Sequence, residues 1–233
     1  MKSRSSIVSC LLALVVVSGC ASTKVTQSES NIGNQRLARP NNILIYDFAA
    51  TPADVPADAA VTGQAASQTA DDVAIGRQLG AQIAKELAAE IQAMGLPAAA
   101  VSSGATPQIG DIVIKGYFLS IDEGSAVKRV AVGFGTGAAE LKTVVEGYQM
   151  TAQGLRKLGS GTVDAGGGKS PGAALGVAGL IATANPAGLI VNVGMKAYGE
   201  ASGNSKVEGR ARDTAKEIAE QLEPKFQQQG WIQ

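Results

Sequence analysis

One stretch of the sequence decides the fold class: Asp71–Gly95, which reads DDVAIGRQLGAQIAKELAAEIQAMG. Apolar residues recur at every fourth position, as Ile75, Leu79, Ile83, Leu87 and Ile91. This spacing predicts a helix with one apolar stripe, and the sequence Gly95-Leu96-Pro97 is typical of a helix end. Gly76 and Gly80 lower the helix propensity of the early turns, which predicts close packing against a neighbouring element.

Strand patterns lie on both sides of this helix. The run NILIYDF at Asn42–Phe48 predicts a buried strand before it. Four segments rich in Ile, Val, Tyr and Phe predict strands after it: Ile109–Ile121, Val127–Phe134, Glu140–Thr151 and Leu155–Val163. The turn at Asp122–Ser125 predicts a hairpin. This order predicts an α+β fold, a small mixed β-sheet of about four to five strands with packed helices.

The C-terminal third predicts more helix. Ser170–Met195 carries no charged residue and is mostly Gly, Ala, Leu, Val and Ile. We interpret it as part of an apolar Gly/Ala-rich helical hairpin, with helices at Gly172–Ala184 and Ala187–Gly199. An amphipathic stripe predicts a last helix over Lys206–Gln229, which Pro224 should kink or shorten.

The uncharged segment 170–195 leaves three alternatives open. It packs on the sheet of its own domain, it forms contacts between copies of the chain, or it inserts into a membrane. Its 26 residues exceed the ~20 that a membrane-spanning helix needs. Asn185-Pro186 near its centre would leave backbone groups without partners in lipid, which favours packing on the domain.

Met1–Gly19 has the pattern of a lipoprotein signal peptide. Lys2 and Arg4 give a positive start, an apolar run follows, and small residues precede Cys20. The apolar run is about half the length of a membrane-spanning helix. We predict cleavage before Cys20 and attachment of lipid to its thiol. The alternative is an ordinary cleaved signal peptide in which Cys20 has no role.

The chain is therefore expected to have three regions: signal peptide 1–19, flexible tether 20–39 and a single α+β domain 40–233. The tether is expected because this region is polar. By analogy with lipoprotein sorting in Gram-negative bacteria, Ala21 after the lipid site favours the outer membrane. We expect a protein that contacts this membrane through lipid at Cys20 and faces the periplasm.

Composition removes several classes of function. The sequence has no histidine, and its second cysteine, Cys10, lies in the predicted signal peptide. Ser-His-Asp and Cys-His sites and the usual zinc sites are therefore excluded, although carboxylate, Lys or Tyr chemistry stays open. We expect no enzyme activity, metal or cofactor. Without Lys2 and Arg4, 18 of the 20 basic residues remain against 20 acidic ones, which argues against nucleic acid as a partner.

Two glycine-rich sequences resemble nucleotide-binding loops but depart from their patterns. Gly166–Ser170 reads GGGKS, yet Val163 stands where a phosphate loop needs Gly six residues before the Lys. Gly133–Ala138 reads GFGTGA, and no acidic residue follows about 20 positions on, as a dinucleotide site requires. We expect a linker at the first sequence and a bend or bulge in the sheet at the second.

A few polar and aromatic residues lie near predicted strand or helix ends. Tyr46, Asp47, Asp122 and Glu123 are the polar residues nearest the strand ends, and their spacing marks no catalytic pair. We expect them to solvate the strand ends. Trp231 follows the last helix and is expected to pack on it as a cap.

The chain from about Arg36 resembles an uncharacterised family of bacterial lipoproteins, domain of unknown function forty-four-ten. The resemblance rests on NILIYDF, on the helix ending MGLP, on Ile112–Phe118 and above all on Arg129–Leu141, RVAVGFGTGAAEL. Gln229-Gly230-Trp231 closes the pattern. The chain is more distantly similar to the curli secretion-channel lipoprotein and to the N-terminal domain of the Tol-system β-propeller protein.

The similarity to the curli and Tol proteins implies an α+β domain that assembles with envelope partners. The uncharacterised family offers no catalytic residues to carry over to this sequence. We expect a non-enzymatic interaction or assembly module, with an envelope protein that the sequence does not name as its partner and with possible homo-oligomers. The alternative is a self-assembling, membrane-active lipoprotein that uses the uncharged segment 170–195.

Overall fold

The computed structural model describes residues 23–51, 70–122, 140–166 and 204–233. Apolar segments alternate with turns in these ranges and form eight elements. The strands are β1 (Thr23–Ser30), β2 (Ile43–Tyr46), β3 (Ala98–Val101), β4 (Ile112–Asp122), β5 (Glu140–Thr151) and β6 (Gly154–Gly166). The helices are α1 (Ala70–Ala93) and α2 (Asn204–Gln229).

The strands form one mixed sheet in the order β1-β6-β5-β4-β2-β3. β2 runs parallel to both β3 and β4, and the other pairs are antiparallel. The predicted α+β class is confirmed, with six strands in place of the four to five expected. β3 was not predicted, because its four residues AAAV are poor in the β-branched and aromatic residues that mark a strand.

The long strands β4, β5 and β6 form an antiparallel unit beside the parallel pair. β4 pairs with β5, and β5 pairs with β6. β5 has the predicted bounds, whereas β6 is longer than predicted and begins with a tight turn at Gly154, which has a positive φ of 110°. The predicted strand Val127–Phe134 and the predicted helices in 172–199 lie outside the described residues.

The flexible tether predicted for residues 20–39 is wrong over its described part. Thr23–Ser30 is strand β1, and it pairs antiparallel with β6 from Thr23 opposite Ala165 to Ser30 opposite Gly159. The polar sequence TKVTQSES does not predict a strand, because an edge strand can keep most of its side chains in solvent and so needs no apolar pattern. The folded domain therefore begins at least as early as residue 23.

The rest of the predicted tether is attached to the end of α2. The Leu37 N–H donates to Gln229 Oε1 at 2.6 Å, and the Trp231 indole N–H donates to the Leu37 carbonyl at 3.2 Å. Gln229 Nε2 also donates to the Gln35 carbonyl at 3.0 Å. Arg39 donates to the Gly95 carbonyl at 2.8 Å, at the end of α1. Residues near the two ends of the described chain are thus hydrogen-bonded to each other.

Both helices pack on the same face of the sheet. The core contains Ile83, Leu87 and Ile91 of α1 with Ala211, Ala215 and Ile218 of α2, against Ile43, Ile45, Ile112, Ile114 and Phe118 of the sheet. The predicted stripe of α1 is therefore buried as expected. Pro224 does not end α2, which continues to Gln229. In the described part of the chain, no helix is long and apolar enough to cross a membrane.

The two helices end in the same way. At the end of α1 the Gly95 N–H donates to the Gln92 carbonyl, and the Leu96 N–H donates to the Ile91 carbonyl, while Gly95 has φ 84°. These hydrogen bonds satisfy backbone carbonyls that have no partner within the helix. The turn requires a left-handed backbone conformation at residue 95, which favours glycine. The predicted end at Gly95 is confirmed.

The close packing predicted at Gly76 and Gly80 is confirmed. A Cβ at position 80 would collide with the backbone carbonyl of Phe48, and one at position 76 would come within 2.6 Å of Ala50 Cβ. The Phe48 N–H donates to the Gly80 carbonyl at 3.3 Å, so the backbone of α1 directly contacts the backbone that follows β2. A Cβ at Gly116 of β4 would collide with the Phe48 ring.

We predict that Gly80→Ala lowers the free energy of unfolding by about 1–3 kcal/mol, because the collision with the Phe48 carbonyl outweighs the better helix propensity of Ala. Gly209→Ala in α2 is the matched control, since nothing lies within 4 Å of a Cβ there. It should raise the free energy of unfolding by up to about 1 kcal/mol. Urea titrations measure both values, and an equal gain in the two variants would contradict the close contact at Gly80.

Candidate functional site

A group of charged residues lies on the sheet face opposite the helices. Successive side chains of a strand alternate between faces, so Ile112 and Ile114 point to the helices while Val113 and Lys115 point away. Lys115 of β4 lies directly opposite Glu146 of β5 in the sheet register. Both are buried, with 4% and 3% of their surface exposed. We call Lys115, Glu146, Tyr148 and Lys157 the charge cluster.

Glu146 is the centre of the charge cluster. The Tyr148 hydroxyl donates to Glu146 Oε2 at 2.6 Å, and Lys157 Nζ of β6 donates to Glu146 Oε1 at 2.6 Å. Each oxygen of the carboxylate therefore accepts a charge-assisted or hydroxyl hydrogen bond. Lys115 Nζ lies 5.4 Å from the centroid of the Tyr148 ring and 6.0 Å from that of Tyr46, within the range of cation–π attraction.

This arrangement ties three strands together through side chains. Buried charges are costly unless they are paired. Here Glu146 is paired with Lys157, and Lys115 lies over the Tyr46 and Tyr148 rings. Glu146 therefore links its own strand β5 to β6 through Lys157. The sequence carries a signal for the cluster that was not used: Lys115 interrupts the apolar strand IVIKGYF.

The polar residues predicted near the strand ends are not brought together. Tyr46 is buried, and its hydroxyl donates to the Ala105 carbonyl at 2.5 Å. Because Ala49 pairs with Tyr117, Asp122 lies five residues further along β4, about 16 Å at 3.3 Å per residue. Asp47 and Asp122 therefore form no catalytic pair. Glu123 lies outside the described residues.

Asp47 is solvent-exposed where the chain leaves β2, and its N–H donates to the Val101 carbonyl at 3.0 Å. Partial desolvation by the surrounding protein raises the pKa of its carboxyl above the usual value. The side chain remains open to water, and Asp47 is not part of the charge cluster.

Trp231 packs on α2, as predicted. Its ring is stacked on Phe226 at a centroid distance of 5.5 Å, and 5% of its surface is exposed. The Trp231 N–H donates to the Phe226 carbonyl and the Gly230 N–H to the Gln227 carbonyl, so this tryptophan completes the same helix end as Leu96 does in α1.

Several predicted sites fall largely outside the described residues. Of Gly166–Ser170, only Gly166 is described, and it ends β6 opposite Glu140 of β5. Gly133–Ala138, the uncharged segment 170–195 and Cys20 lie outside the described ranges. Within those ranges, no group of three or more Asp, Glu, Cys or His residues is placed to hold a metal ion.

The described fold defines a class first: an α+β domain with one mixed six-stranded sheet and two helices on one face. A family model, Domain of unknown function (DUF4410), matches residues 43–184, more than half of the chain. The chain belongs to this family, which confirms the domain family predicted from NILIYDF and RVAVGFGTGAAEL. That the chain is a lipoprotein stays a prediction. The more distant similarity to curli and Tol proteins stays a prediction.

No curated protein matches the chain. Among solved structures, the chain is similar to a variant of the PelC dodecamer from Paraburkholderia phytofirmans, with 17% identity and a TM-score of 0.36 over 70% of this chain and 95% of that chain. A second PelC dodecamer from the same organism has 15% identity and a TM-score of 0.35, with the same coverage. Similarity at this level carries no inference about activity or assembly.

We predict that Glu146→Gln lowers the free energy of unfolding by about 2 kcal/mol, because the partly buried Lys157 loses the counter-charge that it contacts at the buried Glu146. The matched control is Glu220→Gln in the solvent-exposed Lys216–Glu220 pair of α2. It should change stability by less than about 0.5 kcal/mol. Equal small effects in urea titrations would show that the charge cluster contributes nothing beyond a surface ion pair.

Proposed function

We propose that this protein is a lipid-anchored, non-enzymatic interaction or assembly module of the bacterial envelope, held on the outer membrane by lipid at Cys20 and facing the periplasm. One observation carries the proposal: β1 begins at Thr23, three residues after Cys20, and lies at the edge of the sheet. The anchor and an open strand edge would therefore occupy the same side of the domain.

The distance between anchor and domain follows from chain geometry. Three extended residues span at most about 11 Å. Lipid on Cys20 would therefore hold the sheet edge against the headgroup layer, whereas a tether of twenty residues would let the domain move away from it. A protein placed in this way presents a fixed side to partners at the membrane surface.

The edge of β1 offers a way to bind another chain. β1 pairs with β6 on one side, and no described strand pairs with it on the other. An edge strand presents backbone N–H and C=O groups that a strand from a second chain can pair with. Lys24, Ser28, Glu29 and Ser30 are solvent-exposed, so this edge favours a polar, specific contact.

A non-enzymatic role fits the chemistry of the described residues. Glu146 is buried and accepts hydrogen bonds from Tyr148 and Lys157, and Asp47 is not part of the charge cluster. Pairing of a partner strand with the β1 edge uses backbone N–H and C=O groups. Binding at the β1 edge therefore needs no catalytic residue.

We predict that Cys20→Ala abolishes both processing of the precursor and incorporation of radiolabelled palmitate in cells, because the thiol that accepts the lipid is lost. Cys10→Ala provides the matched control, since this cysteine would leave with the signal peptide, and labelling should persist. Labelling that survives Cys20→Ala would remove the anchor from the proposal.

We also predict that a photo-crosslinking amino acid at Glu29 captures another protein in intact cells, whereas the same amino acid at Glu90, exposed on α1, captures none. Glu29 lies on β1, whereas Glu90 lies on α1, which contacts β2 and β3 at the other edge of the sheet. A product of twice the chain mass would identify a homo-oligomer, and a heavier or lighter product a different envelope protein. Crosslinks from segment 170–195 with none from Glu29 would favour the membrane-active alternative.

A further inference from the structure

An apolar cavity of about 230 Å³ lies between α2 and the sheet face on which it packs. Its walls are Val25 of β1, Leu37, Val145 of β5, Leu158 of β6, and Ile218 and Leu222 of α2. The space is partly open to solvent, so a molecule from outside can enter it.

Missing side chains on the sheet explain the cavity. Gly147 of β5 is paired with Gly159 of β6, and Gly161 follows on the same face of β6. A Cβ at Gly147 would meet nothing within 4 Å. A larger residue at Gly147 would fill part of this space, whereas a Cβ at Gly159 would collide with the backbone carbonyl of Glu29. The glycines therefore leave the space between α2 and the sheet unfilled.

The mouth of the cavity carries one positive charge. Lys225 of α2 lies there, and its Nζ donates to the hydroxyl of Ser28 at 3.3 Å. Gln221 and Gln228 line the same opening. None of the ion pairs between described residues includes Lys225. A cation that has no carboxylate partner among the described residues and lies beside an apolar space is complementary to a molecule with an apolar body and an anionic end.

We propose that this cavity binds a single-chain aliphatic anion of the fatty-acid class, with the hydrocarbon chain between α2 and the sheet and the carboxylate on Lys225. The volume is adequate, since an engineered apolar cavity of roughly 150 Å³ already binds benzene. Burial of the hydrocarbon chain supplies the affinity. This proposal is independent of the proposed anchor and strand edge.

The protein contains its own reporter for this site. Trp231 is the single tryptophan of the sequence, and it lines the cavity. Bromine quenches tryptophan fluorescence on contact, so a fatty acid brominated at the end of its chain reports entry into the cavity directly. The full-length chain with Cys20→Ala excludes any lipid that the protein itself would carry.

In this chain, we expect bromododecanoate to quench Trp231 fluorescence with a saturable dependence on concentration. Gly147→Leu should reduce the quenching at least about tenfold, because the new side chain fills the cavity, while the urea midpoint of unfolding stays equal or rises. Gly209→Ala, far from the cavity, should leave quenching unchanged. Saturable quenching that persists in a folded Gly147→Leu variant would overturn the proposal, as would no quenching at all in the starting chain.

A second pair of measurements tests the role of Lys225. The alcohol bromododecanol has the same chain without the charge, and we expect it to bind several-fold more weakly than the acid, the size that a solvent-exposed ion pair provides. Lys225→Gln should remove this difference and leave binding of the alcohol unchanged. An unaltered preference for the acid in Lys225→Gln would place the carboxylate elsewhere and overturn the assignment of Lys225.

Discussion

The contact between the backbone of α1 and the backbone that follows β2 is the constraint on which the rest of the fold depends. At Gly80 the helix approaches so closely that the Phe48 N–H donates to its carbonyl. The Phe48 ring then occupies the space over Gly116 of β4. One residue thus joins α1 to two parallel strands. With α1 held there, its stripe faces the sheet and forms part of the surface on which α2 packs.

The second helix brings the two ends of the described chain together. Its C-terminal turn holds Leu37 through Gln229 and Trp231, and its apolar stripe lies over the sheet near β6. β1 lies directly before this segment in the chain and pairs with β6, so the N-terminal region is part of the sheet. The position of any anchor at Cys20 is therefore set by how α2 ends, through interactions between residues more than 190 positions apart.

The sequence predicts the elements whose pattern is local. The four-residue spacing of α1, the apolar run of β2 and the dense strand pattern of β5 give these elements their bounds within a few residues. β3 and β1 escape prediction because long-range pairing, and not composition, makes them strands. The charge cluster escapes as well, since Lys115 and Glu146 become neighbours only through the register of β4 and β5. Trp231 was predicted correctly because its contact with α2 is local.

The pairing of β1 with β6 also affects the order in which the chain can fold. Thr23 of β1 is paired with Ala165 of β6, so about 140 more residues must be synthesised after β1 before its partner strand exists. During that interval its backbone groups are open to pairing with other chains, the usual route to aggregation of strands. The sequence TKVTQSES is polar and carries charge, which resists such pairing. The polar composition that keeps β1 from being predicted as a strand therefore also disfavours aggregation of the nascent chain before β6 is synthesised.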